Sequence, residues 1–428
     1  MNNKLFDFIE KSPTPYHAVA AVCSELDEKG YTSLCESEKW ILEPGKGYYV
    51  TRNGSSVIAF RIPEGDFSGF MMTASHCDSP CFKIKENAEL ADKFYVRLST
   101  EKYGGMLCST WLDRPLAVAG RVTVRTEKGI SVRLADTKKP CAVIPNVAIH
   151  MNRNANDNMS YNPAVDMIPL FAEGEGKDSF KALVAEAAGV SEKDILTTDL
   201  VVYNPQRGTE WNGFISAPRL DDLQCAFGAL EAFTAAEKAE NIPVYCVFDN
   251  EEVGSQTKQG AASTFIAAVL ERIGEALGLS RAEYYGKIAN SFMLSCDNAH
   301  AVHPNHPEYQ DKNHAVYMNK GIVIKYNANQ RYTSDAVSAA IFGLVCEEAN
   351  VPFQRYANRA DMPGGSTLGN IANTQVSLNT VDIGLPQLAM HSSYETAGAK
   401  DTGYYVKALK VFYEKSLVME SDGEYKLV

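Results

Sequence analysis

The sequence predicts an α/β architecture: a mainly parallel central sheet flanked by helices, interrupted by an inserted β-rich block. Three observations carry this. Compact apolar runs, such as GFMMTAS at 69–75 and VYCVF at 244–248, read as strands buried on both faces. From residue 221 onward such runs alternate with segments of helical periodicity, the rhythm of a sheet covered by helices on both sides. After about residue 88 the character changes to short strand-like segments separated by Gly, Asp and Lys turns. The chain has 428 residues, more than the ~250–300 at which a single core usually stops growing. Two domains are therefore expected, one made from 1–88 and 216–428, the other from 89–215.

Taken in order, residues 2–28 carry a helical pattern that Pro13 and Pro15 interrupt early, with an apolar stripe from Ala18 to Leu26. Strand-like character follows at 47–61 and 69–75, then in the insertion at 93–99, 107–112, 118–125 and 129–134, with a helix at 176–188. The stretch 203–219 is rich in turn formers and reads as a linker. A helix pattern runs from 221 to about 239, a strand occupies 243–248, and a helix extends to about 277. Strands at 291–296, 320–326, 352–357 and 376–381 then alternate with helices at 334–349 and 366–373.

Composition narrows the function. Apolar content of 45% is ordinary for a globular protein. A formal charge of −12 with no basic stripe argues against nucleic-acid binding. No apolar run reaches the ~18 residues of a membrane span, and the N-terminus lacks a signal-peptide pattern. A soluble, cytoplasmic protein is the expectation. The ten cysteines are scattered without a CxxC pair and several lie in apolar runs. Buried free thiols explain them better than a disulfide framework, with a cysteine nucleophile the lesser alternative.

The most informative segment is DNEEVG at Asp249–Gly254. Adjacent residues face different ways, so one of its carboxylates can hold a metal while the other works on bound water. His76 ends an apolar strand, with Asp78 two residues on, where a carboxylate can accept the second ring N–H of a metal-bound imidazole; a core histidine beside a turn aspartate is the plainer alternative. Asp221 and Asp222 precede a helix, as an N-cap or as a carboxylate bridging two cations. Asp297 closes the strand SFMLSC. His391 stands four residues before Glu395, which on a helix would be an ordinary surface pair. Together these segments place two histidines and several carboxylates at strand ends of one sheet, the composition of a two-metal hydrolytic site with cations ~3.5–4 Å apart. Mixed imidazole and carboxylate ligands suit zinc, cobalt or manganese.

In the order SPTPYHAV, SHCDSP, VAIHMNR, RLDD, DNEEVGS, SCDNAHAVHPN, IKYNANQRYTSD, GGSTLGN and PQLAMHS–SYE, these motifs resemble the M18 family of metallopeptidases, the aspartyl aminopeptidases, over nearly the whole chain. The resemblance implies the dinuclear-zinc aminopeptidase fold, with the inserted β-rich domain serving dimerisation. It implies two divalent cations per chain, zinc above all, with cobalt or manganese at one site. Their ligands would be His76, Asp221 (bridging), Glu252, Asp297 and His391, with Glu251 as general base and Asp78 supporting His76. His150 would reach a neighbouring subunit's active site; a structural strand-end histidine is the alternative. The implied assembly is a homo-oligomer built from dimers, up to a tetrahedral dodecamer.

The implied reaction removes N-terminal residues, preferentially Asp or Glu, from peptides with a free N-terminus, by attack of a metal-bridging hydroxide on the first peptide carbonyl. Lys325, after the apolar strand GIVI, is the residue expected to read an acidic side chain, against a solvated strand-end lysine. Gly364 and Gly365 are expected to shape the substrate pocket through close backbone approach. Asp222 and Tyr394 depart from the animal-type pattern and leave the side-chain preference open. The alternatives are an aminopeptidase of the same family with broad or non-acidic specificity, a catalytically dead scaffold, and a deacylase of N-acylated amino acids.

Overall fold

The computed structural model describes residues 1–237 and 240–428. The C-terminal end of the helix expected to reach about 239 falls partly outside them; its described part is Leu220–Ala235. Four strands form the centre of the main sheet: Phe70–His76, Ile242–Phe248, Phe292–Cys296 and Asn379–Gly384. The first three are buried at every position, as their apolar runs require. Among the described residues, nine strands make this sheet. Their order is Thr32–Leu34, Gly47–Arg52, Ser56–Arg61, Ile242–Phe248, Phe70–His76, Phe292–Cys296, Asn379–Gly384, Ile322–Tyr326 and Phe353–Ala357. The centre is parallel. Antiparallel pairing enters where the hairpin Gly47–Arg52/Ser56–Arg61 joins and where Ile322–Tyr326 meets Asn379–Gly384.

Each face of the sheet buries its own core. Helices Asn2–Lys11, Pro15–Glu28, Leu220–Ala235, Ala336–Glu348 and Asp401–Tyr413 cover one side. Phe265–Ala276, Arg281–Ala289 and Leu368–Ala372 cover the other. This is the expected α/β class, and the doubly covered sheet explains why its central strands carry no polar alternation.

The parallel register decides where the chemistry lies. Phe248 pairs with His76, and Ser295 with Ala74. The C-terminal ends of three strands therefore line up, and the residues that follow them, Asp78, Glu251–Glu252 and Asp297, emerge on one edge. That edge is where open α/β sheets place their sites.

The second sheet is antiparallel throughout, in the order Gly129–Asp136, Ala117–Thr126, Ile195–Tyr203, Cys81–Ala91, Tyr95–Tyr103 and Leu170–Glu173. It packs on helix Phe180–Ala188 around Phe82, Leu98, Trp111, Val118 and Leu200. The expected boundaries at 89 and 215 fall inside strands: Cys81–Ala91 belongs wholly to this sheet, and Phe214–Ala217 to a third one.

Other local differences have local causes. The 2–28 helix is two helices, because Pro13 and Pro15 break it and Thr14 caps the second through His17 N. Residues 107–112 contain a 3-10 turn at Cys108–Trp111, not a strand. The 203–219 linker holds the hairpin Thr209–Trp211/Phe214–Ala217, which pairs with Glu395–Gly398. Helical structure after Ile242–Phe248 begins only at Phe265, apart from one 3-10 turn at Glu251–Val253.

Candidate metal centre

His76 ends its strand with a fully buried side chain. Its Nε2 lies 3.6 Å from Asp221 Oδ1, 3.8 Å from Asp297 Oδ1 and 4.0 Å from Glu251 Oε2. His391 comes from the loop after the strand Pro386–Leu388 and has a left-handed φ of 66°. Its Nε2 lies 3.3 Å from Asp221 Oδ2 and 3.4 Å from Glu252 Oε2. Asp221 thus offers one carboxylate oxygen to each histidine. Two groups of ligand type result, His76–Asp221–Asp297 and Asp221–Glu252–His391, each with its donor atoms within 4.8 Å of one another.

The arrangement fits cations. Ligand atoms ~2.0–2.1 Å from a tetrahedral ion stand about 3.3–3.4 Å apart, which is the spacing around His391 Nε2. Asp221 Oδ1 and Glu252 Oε1 are buried with no hydrogen-bond partner, a costly state that a metal ligand resolves. Burial, with the Asp297, Asp78 and Asp221 charges, pushes the Glu251 carboxyl up to about 8; burial, with the Asp221 charge, pushes the Glu252 carboxyl well up. Burial alone would drive His391 down, but Asp221 and Glu252 hold it up at about 10. Such a concentration of carboxylates calls for positive charge.

Asp78 differs from its expected part in one respect. The nearest partner of His76 Nδ1 is the Asp78 backbone carbonyl at 3.0 Å, with carboxylate Oδ1 farther off at 3.4 Å. The Asp78 carboxylate instead accepts the backbone N–H groups of Glu251 and Glu252, each at 3.1 Å, and the Tyr103 hydroxyl at 2.6 Å. It fixes the turn that presents both glutamates. Glu395 acts in the same way on the opposite wall. It is buried on a strand, not exposed on a helix, and accepts from Asp221 N at 3.0 Å and His391 N at 2.7 Å. The i, i+4 spacing concealed this, because the segment is a loop running into a strand.

Lys325 is 2% exposed, and its ammonium is occupied. It donates to the Asp297 and Asn298 carbonyls at 2.8 and 3.2 Å and lies 3.4 Å from Asp297 Oδ2. It is neither solvated nor free to swing onto a ligand. Asp222 is fully buried; its Oδ2 accepts from His76 N at 3.2 Å, and burial pushes its carboxyl well up. A Cβ on Gly364 would stand 2.5 Å from Asn358 Oδ1, whereas one on Gly365 would meet open space, so close approach holds for the first glycine only. Tyr394 spends its hydroxyl on the Arg207 carbonyl. His150 lies on an exposed turn of the inserted block, and among the described residues no hydrogen bond or ion pair joins it to the cluster.

Residues with no sequence signal complete the site. Tyr103, from the inserted sheet, also accepts from Asn250 Nδ2 at 2.8 Å. Gly104 packs so closely that a Cβ there would stand 3.1 Å from Glu252 Cβ. Nothing in the local pattern of EKYGGML marks it as part of a centre some 150 residues further along the chain.

A family model described as Aminopeptidase I zinc metalloprotease (M18) matches residues 8–413. A probable M18 family aminopeptidase 2 from Clostridium novyi is 44% identical over 423 residues, 96% of this chain and 98% of that protein. Another, from Pseudomonas aeruginosa, is 42% identical over 429 residues, 97% and 98% of the two chains. Among solved structures, prApe1 superposes with a TM-score of 0.91 at 30% identity, covering 96% of this chain and 94% of the other. The S. cerevisiae mApe1 dodecamer gives 0.84 at 29%, covering 96% and 95%. With a family match over almost its full length and relatives this similar end to end, the chain belongs to the M18 family of metallopeptidases and is a metal-dependent aminopeptidase.

Proposed function

We propose that this chain releases N-terminal residues, preferentially Asp or Glu, from peptides at a dinuclear centre held by His76, Asp221, Glu252, Asp297 and His391. The observation that carries the reading is the split of Asp221: Oδ1 faces His76 and Oδ2 faces His391. The donor set suits zinc, with cobalt or manganese at one site. When bound, the cations supply a low-pKa water and polarise the carbonyl under attack. The protein's own part falls chiefly to Glu251. Its carboxylate is absent from both ligand groups, lies beside His76, and is held by Asp78 through its backbone N–H. It takes the proton from the attacking water and returns it to the leaving amine.

Acidic preference rests on the buried positive charge of Lys325 beside Asp297. Because its hydrogens are already engaged, Lys325 acts as a fixed charge and not as a flexible clamp. That engagement is also the one observation favouring a broader aminopeptidase. Hydrolysis of Asp-, Glu-, Leu- and Lys-terminal amides by metal-loaded protein separates the two: Asp and Glu amides are expected to turn over at least ~10-fold faster than Leu, and equal rates leave only the broader reading. One metal or fewer per chain would remove the dinuclear centre itself.

The assembly we infer is a homo-oligomer built from dimers, up to a dodecamer like that of the mApe1 structure. Exposed Val147, Ile149 and Met151 flank His150 on the inserted block, and Met151 is 83% exposed. An apolar tip of this kind suits burial by a second copy, which would carry His150 to a neighbour's centre. A light-scattering mass of one chain would exclude this. The free thiols, five of them buried, suit a reducing compartment such as the cytoplasm. Among the described residues no helix is long and apolar enough to cross a membrane.

A further inference from the structure

The inserted sheet does more than flank the site. Its strand Tyr95–Tyr103 ends against the turn that presents the two glutamates, and the chain then crosses to the loop that presents His391. We propose that Tyr103–Thr110 is a strap that fixes the distance between Glu252 and His391, and so sets metal affinity at the Asp221–Glu252–His391 site in particular, with Tyr103 as a positioning residue. This rests on the dinuclear reading above.

At one end of the strap, Tyr103 donates to Asp78 Oδ2 at 2.6 Å and accepts from Asn250 Nδ2 at 2.8 Å. The same Asp78 carboxylate receives Glu251 N and Glu252 N. Asn250 is itself held through Oδ1, which accepts from Thr257 Oγ1 and Gln259 Nε2. The phenol therefore closes a network with no free rotation left in it. In the middle, Gly104 has φ +71° and leaves only 3.1 Å between its absent Cβ and Glu252 Cβ; a Cβ on Gly105 would stand 3.9 Å from His391 Nδ1. The backbone therefore lies directly over both ligands, at a conformation and clearance that glycine meets without strain. At the far end, Leu107 N donates to the His391 carbonyl at 3.1 Å. Thr110 Oγ1 accepts from Ser393 N at 2.9 Å, and Ser393 Oγ donates to the Thr110 carbonyl at 2.5 Å.

The anchors fall on the two walls that carry Glu252 and His391; Asp78 also faces His76 Nδ1, through its backbone carbonyl at 3.0 Å and Oδ1 at 3.4 Å, but the phenol bonds the other oxygen, Oδ2, which receives Glu252 N. Among the described residues, no hydrogen bond from the strap reaches Asp297 or the strand that presents it. Glu252 and His391 are 139 positions apart in the chain and belong to loops with no covalent reason to hold 3.4 Å of separation. Outer partners of ligands typically govern metal affinity by 10–100-fold, and here one segment from another domain supplies them on both sides.

The test is titration of the metal-free full chain with Zn2+ by calorimetry, and with Co2+ by visible absorption, alongside thermal melting. Wild type should bind two ions; fewer would refute the dinuclear centre, whatever the strap does. With two bound, Tyr103→Phe should weaken one site by about 10-fold or more with little change in melting temperature. Asp297→Asn leaves the strapped site intact, and adding Tyr103→Phe to it should reproduce the loss. Glu252→Gln leaves the other site, and there Tyr103→Phe should change nothing. Unchanged affinity in Tyr103→Phe, or equal weakening of both sites, overturns the proposal. Should Tyr103→Phe fail to fold, Thr110→Val at the opposite anchor is read by the same titration and decides the matter in the same way.

Discussion

Glu251 and Glu252 are neighbours in sequence but stand in different surroundings. Glu252 Oε2 is 3.4 Å from His391 Nε2, while Glu251 Oε2 lies 4.0 Å from His76 Nε2. The Asp78 carboxylate produces the difference by holding both backbone N–H groups and so fixing the turn. This geometry makes Glu251 the proposed base and Glu252 the proposed ligand. Glu251→Gln should keep two metals per chain and lose at least ~100-fold in kcat, the usual span for a general base; loss of the metals in that variant, measured by elemental analysis, would exchange the two roles. The pair itself was legible in DNEEVG. That Asp78 serves the glutamates more than His76 was not, because i, i+2 spacing shows which face a residue shares and not which hydrogen bonds its carboxylate accepts.

At the scale of elements, helix Pro15–Glu28 starts on Thr14, whose hydroxyl lies 2.8 Å from His17 Nδ1 and also accepts His17 N. Burial pushes the His17 imidazole down to about 4, with Arg219 and Lys138 adding to the effect and Asp136 opposing it. The folded protein therefore holds His17 neutral, whereas the unfolded chain protonates it near 6.5. Between those values the unfolded state binds more protons, so stability is full above pH ~6.5 and declines as pH falls toward ~4. His17→Gln, which keeps a hydrogen bond to Thr14 without a titrating ring, should lessen that decline by about 1–3 kcal/mol. Denaturant unfolding of both proteins at pH 7, 5.5 and 4.5 checks it, and identical slopes with pH would show that His17 contributes nothing. The break that creates this cap was legible in SPTP, because proline acts on its own backbone. The hairpin at 209–217 was not, because its partner strand Glu395–Gly398 lies some 180 residues away.

At the scale of the whole molecule, the central sheet supplies one wall of the centre, the third sheet the other, and the six-stranded antiparallel sheet the strap between them. His150 lies outside this arrangement, on an exposed turn. If assembly brings it to a neighbour's centre, the chain is complete only as an oligomer. Mixing His150→Ala with Glu251→Gln under subunit exchange should then recover activity that neither variant shows alone, since some interfaces would pair an intact base with an intact His150. Two inactive parents whose mixture remains inactive after verified exchange would place the role of His150 within its own subunit.

The sequence alone determined what short-range chemistry can write. Apolar runs announced strands buried on both faces, prolines announced a helix break, and carboxylates and histidines at the ends of those runs announced a hydrolytic metal centre and the edge of the sheet on which it sits. Tertiary structure decided which of those groups meet: that Asp221 faces both histidines, that Glu395 is a buried brace, that Lys325 is locked against Asp297, and that Tyr103 reaches across from another sheet to hold the turn of the glutamates. The reason is physical. Periodicity records how a residue faces its own element, whereas these contacts depend on strand register and on the packing of sheets whose strands are far apart in the chain.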